Sequence, residues 1–290
     1  MLKVAIASGK GGTGKTFVTT NLYRVMKAAG RLVGVVDCDA EVPNAGLFLK
    51  GQRKATWPVE VFCPVFDADR CTYCGECASV CHFHAITCIP ALRYLKILPD
   101  GCHSCEGCSR FCPFGALSAG TKRVGEVTAY GDGDAVFLYE ARLQEGAHSP
   151  VPVIREAIRR AVTANWEILL LDAPPGCACP FVHTVKDADL VILVTEPTPF
   201  GLSDLKHTIM VLQQLHKPFG VVVNRADLGD EKLQQYLAEE GIPLWAVLPY
   251  DPSVAVTYSK GALAVDHHAS FCHQFECLMQ KVGDYEGCSH

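Results

Sequence analysis

Cysteine is the residue type whose number and spacing in this sequence most clearly indicate chemistry. The chain has 290 residues and 16 cysteines. Eight of them form two runs of the pattern C-x2-C-x2-C-x3-C, and the second run repeats the first with each cysteine displaced by 31 positions (71 to 102). At such spacing, three thiolates of a run surround one iron–sulfur cubane and the fourth ligates the other cluster. The runs are Cys71, Cys74, Cys77, Cys81 and Cys102, Cys105, Cys108, Cys112.

This interleaving predicts two [4Fe–4S] clusters per chain. A zinc site is the alternative, but zinc motifs usually supply two CxxC pairs rather than three close cysteines plus one. His82 follows the first run where Pro113 follows the second, and we expect this difference to adjust the local turn or the redox potential. The predicted ligands are Cys71, Cys74, Cys77 and Cys112 for cluster 1, and Cys81, Cys102, Cys105 and Cys108 for cluster 2.

A second constellation, near the start of the chain, points to phosphate binding. Residues 9–16 read GKGGTGKT and satisfy G-x-x-x-x-G-K-[ST] between an apolar run and a helical pattern. Backbone amides of such a loop converge on phosphate oxygens at a helix N-terminus, while Lys15 supplies a cation and Thr16 a magnesium ligand. A flexible glycine turn is the alternative, which the flanking strand and helix disfavour. The predicted nucleotide contacts are Gly9, Gly11, Gly12, Thr13, Gly14, Lys15 and Thr16.

Composition narrows the class of protein further. The formal charge is −5 and no run of lysine or arginine exceeds two, so we expect neither a nucleic-acid partner nor stable membrane association. No early apolar stretch has the length of a signal sequence, which predicts a cytoplasmic protein in which clustered cysteines serve metal or redox chemistry. Outside the two runs, six cysteines are expected to be packing residues: Cys38, Cys63, Cys88, Cys272, Cys277 and Cys288.

The elements that would position these residues alternate between strand and helix. Short apolar runs without polar alternation predict strands buried on both faces, and helical stripes lie between them. The pattern predicts an α/β fold with a doubly wound, mostly parallel sheet, carrying a small inserted α+β domain. The predicted domains are 1–62, 63–119 and 120–290, the first and last forming one unit. The predicted strands are 2–7, 32–37, 168–172, 190–195, 219–224 and 244–248, with a hairpin at 124–143 and helices at 152–163 and in the C-terminal tail.

The loop contains a second lysine, Lys10, and in this respect resembles the deviant Walker A motif of the MinD, ParA, Mrp and nitrogenase-iron-protein class of ATPases. The resemblance implies that Lys10 reaches the nucleotide of a partner subunit, and that ATP drives face-to-face dimerisation with a second copy or a related ATPase. It also implies catalytic roles for Lys15 and for Asp39, which would position the attacking water beside Asp37.

Further segments resemble the same class. ILLLDAPPG at 168–176 is similar to its Walker B and switch II segment, which implies that Asp172 joins Thr16 and Asp39 around magnesium and that Gly176 senses the γ-phosphate. Asn224 and Arg225 follow an apolar run where the class reads adenine.

Cys177 and Cys179 come directly after the segment that resembles switch II. In nitrogenase-like iron proteins a cysteine in this stretch helps to hold one cubane between subunits, so a further cluster at a dimer interface is one interpretation. The alternative is a pair of small residues that pack a turn.

Taken together, the motifs resemble MinD/Mrp-superfamily P-loop ATPases with an inserted 2[4Fe–4S] bacterial-ferredoxin-like domain, as in the Mrp-like ATPases of anaerobic orange-protein complexes. The resemblance implies an ATPase in iron–sulfur or mixed-metal cluster assembly or transfer, with a redox or cluster-accepting partner protein. An ATP-gated low-potential electron donor is the alternative, and a cell-division or positioning ATPase with redox-sensing clusters is the third. Oxygen-labile cubanes favour an anaerobic organism.

Overall fold

Continuous apolar runs form the central strands of one large sheet in the computed structural model, which describes residues 1–229 and 231–288, with side chains described to residue 285 at the C-terminal end. The packing role expected of Cys288 therefore lies outside the described side chains. The strands are β1 (Leu2–Ala7), β2 (Val33–Asp37), β3 (Gln52–Phe66), β4 (Ile86–Ile89), β5 (Tyr94–Ile97), β6 (Leu117–Asp132), β7 (Ala135–Leu143), β8 (Ile168–Asp172), β9 (Leu190–Thr195), β10 (Phe219–Asn224) and β11 (Leu244–Leu248).

The helices connect these strands and cover both faces of the large sheet. They are α1 (Lys15–Ala28), α2 (Glu76–Ser79), α3 (Gly107–Arg110), α4 (Val151–Ala161), α5 (Cys179–Lys186), α6 (Pro199–Gln214), α7 (Lys232–Glu239), α8 (Pro252–Ser259) and α9 (Ala269–Cys288). The helix expected at 152–163 thus ends two residues earlier, and the tail forms the expected helix. Among the helices of the described chain, none combines the length and apolar character needed to cross a bilayer.

The large sheet has nine strands in the order β11-β10-β9-β1-β8-β2-β7-β6-β3. Strands β11 to β7 in this order are parallel. At one edge β6 is antiparallel to β7, and β3 is antiparallel to β6. The prediction of an α/β, doubly wound, mostly parallel sheet is confirmed. The hairpin expected at 124–143 is present as β6 and β7, but β6 begins earlier, at Leu117.

Apolar side chains form a core on each face of the sheet. On one face the core includes Leu22 and Met26 of α1 and Phe275 and Leu278 of α9. On the other it includes side chains of α4, α5, α6 and α7. Burial on both faces explains why the central strands are apolar without alternation. It also fixes the carboxyl ends of these strands at one edge, where polar residues gather.

Strands β3 and β6 continue beyond the sheet as a two-stranded ribbon. From Gly125 onward β6 also pairs with β7, whereas at 117–123 its described partner is β3 alone. The ribbon carries the cysteine lobe, which we define as residues 67–116. The domain boundaries expected at 62/63 and 119/120 fall inside β3 and β6, because both strands run from sheet to lobe without a break.

Candidate functional site

The glycine-rich loop leaves β1 and enters α1 at the carboxyl edge of the sheet. Gly14 precedes α1 with φ 100°, a left-handed conformation that favours glycine. A Cβ atom there would lie 2.4 Å from Nδ2 of Asn224, which donates a 2.8 Å hydrogen bond to the Thr13 carbonyl. At Gly11 and Gly12, a Cβ atom would meet no other group within 4 Å. The loop is therefore open at Gly11 and Gly12, braced at its helical end by Asn224, and packed at Gly9, where a Cβ atom would lie 2.7 Å from Asp204.

The ammonium group of Lys15 lies near the carboxylates of Asp172 and Asp39. Burial lowers the pKa of Lys15, an effect that the carboxylates of Asp172 and Asp39 oppose. Asp172 accepts hydrogen bonds from the hydroxyls of Thr16 (2.7 Å to Oδ2) and Thr19 (3.1 Å to Oδ1). Its complete burial raises the pKa of Asp172 to about 6. Three of the predicted phosphate and magnesium contacts thus lie around Asp172: Lys15, Thr16 and Asp39. The oxygen atoms among them are of the kind that Mg²⁺ prefers as ligands.

Asp37, the last residue of β2, and Asp39, two residues later, differ in their surroundings. The buried Asp37 carboxylate accepts N–H bonds from Asn44 and Ala45, both at 2.8 Å, and from Asp39 at 3.1 Å. Burial raises the pKa of Asp37, with the Asp172 carboxylate adding to the rise and the three amides opposing it. Asp39 is only half-buried, and burial raises its pKa as well. Asp37 therefore holds the segment after β2 in place, through the amides of Asp39, Asn44 and Ala45. Asp39 is the more accessible carboxylate of that segment.

A charged triad that the sequence analysis missed lies at the other side of the loop. Lys10 Nζ is 3.5 Å from Oε2 of Glu196, which follows β9, and Arg225 forms an ion pair with the same carboxylate. The Ser8 hydroxyl donates to the Lys10 carbonyl at 2.6 Å. In a single chain, Lys10 is thus held by its own subunit. The signal in the sequence was that Glu196 directly follows a predicted strand. Its contacts with Lys10 and Arg225 depend on the tertiary fold and could not be predicted.

One polar group of this region is free for a ligand, and a backbone bond nearby links two segments of the site. The Thr13 hydroxyl is buried and has no hydrogen-bond partner among the described residues, and a buried polar atom in that state calls for a bound water or ligand. Gly176 has φ 86°, and its amide donates to the Ser8 carbonyl at 3.1 Å. That bond joins the segment after β8 to the glycine-rich loop.

The cysteine lobe contains two cavities, each lined by four cysteines of the two runs. Each cavity has a volume of about 20 Å³ and is partly open to solvent. No group of three or more His, Cys, Asp or Glu within the described residues is placed to hold a single metal ion. The cysteines are Cys71, Cys74, Cys77 and Cys112 at the first cavity and Cys81, Cys102, Cys105 and Cys108 at the second.

The backbone around the two cavities repeats along with the sequence. Tyr73 donates its amide to the Cys71 sulfur at 3.3 Å, and Ser104 donates to the Cys102 sulfur at 3.5 Å. Both donors have φ 59°, a left-handed conformation that is uncommon outside glycine and clusters at functional sites. The left-handed positions recur 31 residues apart, as Tyr73 and Ser104, Gly75 and Glu106, His84 and Gly115.

Three thiols outside the runs lie in distinct environments. Cys177 Sγ is 3.3 Å from the Thr208 hydroxyl of its own chain, whereas Cys179 is exposed at the start of α5. Cys63, expected to be a packing residue, is buried on β3.

A parallel α/β sheet with a G-x-x-x-x-G-K-[ST] loop between β1 and α1 defines the class of P-loop nucleotide-binding proteins. The family model described as the CobQ/CobB/MinD/ParA nucleotide binding domain matches residues 4–264. The chain therefore belongs to this family. The match spans the cysteine lobe as well as the sheet.

Three comparisons illustrate the relationship. An uncharacterized protein of Methanocaldococcus jannaschii is 30% identical over 90% of this chain and 90% of its own. A protein of Pyrococcus horikoshii named iron-sulfur cluster carrier protein is 24% identical over 86% of this chain and 74% of its own. The septum site-determining protein MinD of Pyrococcus horikoshii, solved with Mg-ADP, superposes with a TM-score of 0.60 at 22% identity, covering 100% and 98% of the two chains. The last similarity establishes the fold.

Proposed function

We propose that this protein is a nucleotide-switched ATPase that binds two [4Fe–4S] clusters in the cysteine lobe and acts in cluster assembly or transfer. The observation that carries the proposal is the pair of four-cysteine cavities, each lined by three cysteines of one run and one of the other. Four thiolates are the ligand number of a [4Fe–4S] cluster, and this interleaving is typical of two-cluster ferredoxins. The eight cavity cysteines are the proposed ligands.

Two properties of the lobe support this assignment. Backbone amides donate to the sulfurs of Cys71, Cys81 and Cys102 at 3.3, 3.3 and 3.5 Å, and such bonds stabilise ligating thiolates. The apolar cluster of the lobe has three buried lobe residues, Cys77, Ile86 and Cys108, together with Leu117 at the start of β6. So small a core cannot stabilise a lobe of this size by burial alone, whereas ligation of a metal group contributes directly to folding.

We further propose that ATP and magnesium bind at the loop of residues 8–16. The open glycine amides and Lys15 would hold the phosphates, and Thr16, Asp39 and Asp172 would supply oxygen ligands to the cation. A bound Mg²⁺ neutralises phosphate charge and favours the ionised form of a buried carboxyl group. Asp172 would then stay ionised at neutral pH, and Asp39 would orient the attacking water.

The remaining proposed contacts surround the phosphates and the base. Gly176, whose amide is bonded to Ser8, would sense the γ-phosphate, while Asn224 and Arg225 would lie beside adenine. Asn224 has a second role, because its amide braces the loop at Thr13. Nucleotide binding and the integrity of the loop therefore depend on the same side chain.

Dimerisation follows from the proposed role of Lys10. We propose that ATP brings two subunits, identical or related, face to face and that Lys10 contacts the nucleotide of the partner subunit. Because Lys10 is paired with Glu196 in the single chain, dimerisation would require this ion pair to break. In this proposal the ion pair keeps the monomer inactive until nucleotide and a partner subunit bind.

Cluster transfer is favoured over the other roles by relatives named iron-sulfur cluster carrier protein. Cys179 is exposed and Cys177 half-buried, and we propose that the two hold a transferable cluster between subunits. Such a protein would work in the cytoplasm of an anaerobe with a cluster-accepting or redox partner, without stable membrane or nucleic-acid association.

The second candidate is an ATP-gated electron donor, favoured by the position of both four-cysteine cavities in one lobe. Anaerobic purification with iron and sulfide counts and electron paramagnetic resonance, with and without ATP, tests both. About eight irons per chain that never leave the protein support electron transfer. Additional, chelatable iron that reaches an apo-acceptor and is lost in Cys177→Ser and Cys179→Ser supports the carrier.

A Lys15→Ala variant serves as the control for nucleotide dependence, because it should abolish hydrolysis while leaving the lobe iron in place. The cluster assignment is contradicted if wild-type protein contains no iron, either as purified or after reconstitution. ATP-dependent positioning in cells that persists after loss of the lobe cysteines would instead support a positioning ATPase.

A further inference from the structure

The loop between β7 and α4, residues 144–149, reaches from the large sheet to the cysteine lobe. Nε2 of His148 donates to the carbonyl of Asp100, and the His148 ring stacks on that of His103, with centroids 5.3 Å apart and planes inclined by 8°. The His103 ring stacks in turn on Phe83, at 3.8 Å and 8°. His103 and Phe83 line the second four-cysteine cavity. Three nearly parallel rings thus connect this loop to that cavity.

The turn at Asp100 leads directly into a proposed cluster ligand. The amide of Cys102 donates to the carbonyl of Pro99 at 3.1 Å, which closes the turn. From the ribbon, the ammonium of Lys122 donates to the carbonyls of Cys102, at 2.8 Å, and Pro99. The turn is therefore held both by the ribbon and by loop 144–149, and the position of Cys102 depends on both.

The other end of loop 144–149 is fixed beside the proposed nucleotide site. Leu143, the last residue of β7, donates its amide to the carbonyl of Ala40 at 2.8 Å, and Ala40 directly follows Asp39. Within the loop, the amide of Ala147 donates to the carbonyl three positions earlier, at 3.1 Å. A short segment with its own hydrogen bond therefore separates the carboxylate proposed to orient water from the histidine that contacts the lobe.

Within the described chain, the first cavity has no equivalent of this stack of rings. The sequence duplication places Thr72 and Phe114 at the first cavity where the second has His103 and Phe83, each pair 31 positions apart (72 to 103 and 83 to 114). Threonine has no ring to stack, and Phe114 is exposed. The connection to loop 144–149 is therefore a property of the second cavity.

We propose that loop 144–149 couples the nucleotide site to the second four-cysteine cavity, with His148 as a positioning residue for the turn that precedes Cys102. The coupling rests on the proposed nucleotide site. Bound nucleotide would immobilise the segment that contains Asp39, and the hydrogen bond from Leu143 would pass this restraint to His148. Because coupling between two sites is reciprocal, a change in the second cavity would alter nucleotide affinity by the same factor.

Hydrogen–deuterium exchange read by mass spectrometry, on the full chain purified anaerobically, tests the coupling with and without magnesium and the non-hydrolysable ATP analogue AMP-PNP. Residues 99–103 are compared with 68–72, the equivalent turn 31 positions earlier (99 to 68), in which Cys71 donates to Ala68 at 3.4 Å. In the wild type, AMP-PNP should slow exchange at 99–103 about fivefold, the lower end of typical coupling, and leave 68–72 unchanged.

Variants of His148 show whether the coupling passes through this side chain. His148→Ala loses one hydrogen bond and one ring stack, so exchange at 99–103 without nucleotide should be about tenfold faster, and AMP-PNP should no longer slow it. His148→Phe keeps a ring and should restore part of both effects. His267→Ala, at an exposed position before α9, is the matched control and should follow the wild type.

Two results would overturn the inference. One is a wild type that binds AMP-PNP, as measured by calorimetry, without a change in exchange at 99–103. The other is a His148→Ala protein in which AMP-PNP slows exchange as much as in the wild type. A chain that binds no AMP-PNP contradicts the proposed function instead, and the effect of His148→Ala without nucleotide then decides whether His148 holds the turn.

Discussion

Replacing Asp172 with asparagine should make the nucleotide-free protein more stable at neutral pH, although it removes a proposed magnesium ligand. Burial raises the pKa of Asp172 from an ordinary 3.8 to about 6. The folded state therefore holds this proton more tightly than the unfolded state. The stability it contributes is complete below about pH 4 and is lost as the pH rises through about 6.

The magnitude follows from the same two values. A difference of about two between the folded and unfolded pKa corresponds to about 3 kcal/mol. Asparagine has one acceptor oxygen and cannot serve both Thr16 and Thr19, which costs about 1 kcal/mol at every pH. Relative to the wild type, Asp172→Asn should be about 1 kcal/mol less stable at about pH 4 and about 2 kcal/mol more stable at about pH 7.5.

Urea unfolding followed by circular dichroism, in nucleotide-free buffer over this pH range, measures the difference. Asp134→Asn, at an exposed position between β6 and β7, is the control and should follow the wild type throughout. A stability difference between Asp172→Asn and the wild type that stays constant with pH would refute the reasoning. Loss of magnesium-dependent nucleotide binding, read by calorimetry, should accompany the gain in stability.

Three further predictions concern the loop and the lobe. Glu196→Gln should release Lys10 and lower the ATP concentration for half-maximal dimerisation by about fivefold, since a partly buried ion pair contributes about 1 kcal/mol; light scattering measures this. Asn224→Ala should weaken ATP binding about tenfold through loss of its bond to Thr13, measured by calorimetry. Chelation of iron should expose residues 67–116 to limited proteolysis before the sheet is cleaved, because the lobe core is small.

Controls for the first two predictions come from the same chain. Glu167→Gln removes a surface ion pair with Arg31 and should leave dimerisation unchanged. Asn21→Ala removes a buried asparagine that bonds Phe17 and Val265, so it should lower stability without a specific loss of ATP affinity. If Asn21→Ala and Asn224→Ala weaken ATP binding equally, the bracing role of Asn224 is wrong.

The central strands could be predicted because burial on both faces leaves a continuous apolar run, as in Leu190–Thr195. The ribbon could not, because most of β3 is exposed or half-buried and it contains Pro58 and Pro64. Proline within a run argues against a central strand and is tolerated on an edge strand, which β3 is. The sequence of a strand does not show whether that strand will lie at the edge of the sheet.

The candidate sites divide in the same way. The cysteine runs and the glycine-rich loop could be predicted as candidate sites because their residues are neighbours in sequence. Contacts between distant elements were missed, such as the ion pair that joins Glu196 to Lys10 across 186 positions (10 to 196). Only the order of strands in the sheet brings such pairs together.

The ribbon converts small rotations into large displacements. At its root, Leu143 donates to the carbonyl of Ala40, next to Asp39, at 2.8 Å, and Gln144 donates to that of Val124 at 2.9 Å. Residues 60–66 then extend about 20 Å beyond the root, at about 3.3 Å per residue. A tilt of about 10° at the root would sweep the lobe through about 4 Å. Such an arm would amplify a small rotation of the loop after β2 into a larger displacement of the eight cysteines at its far end.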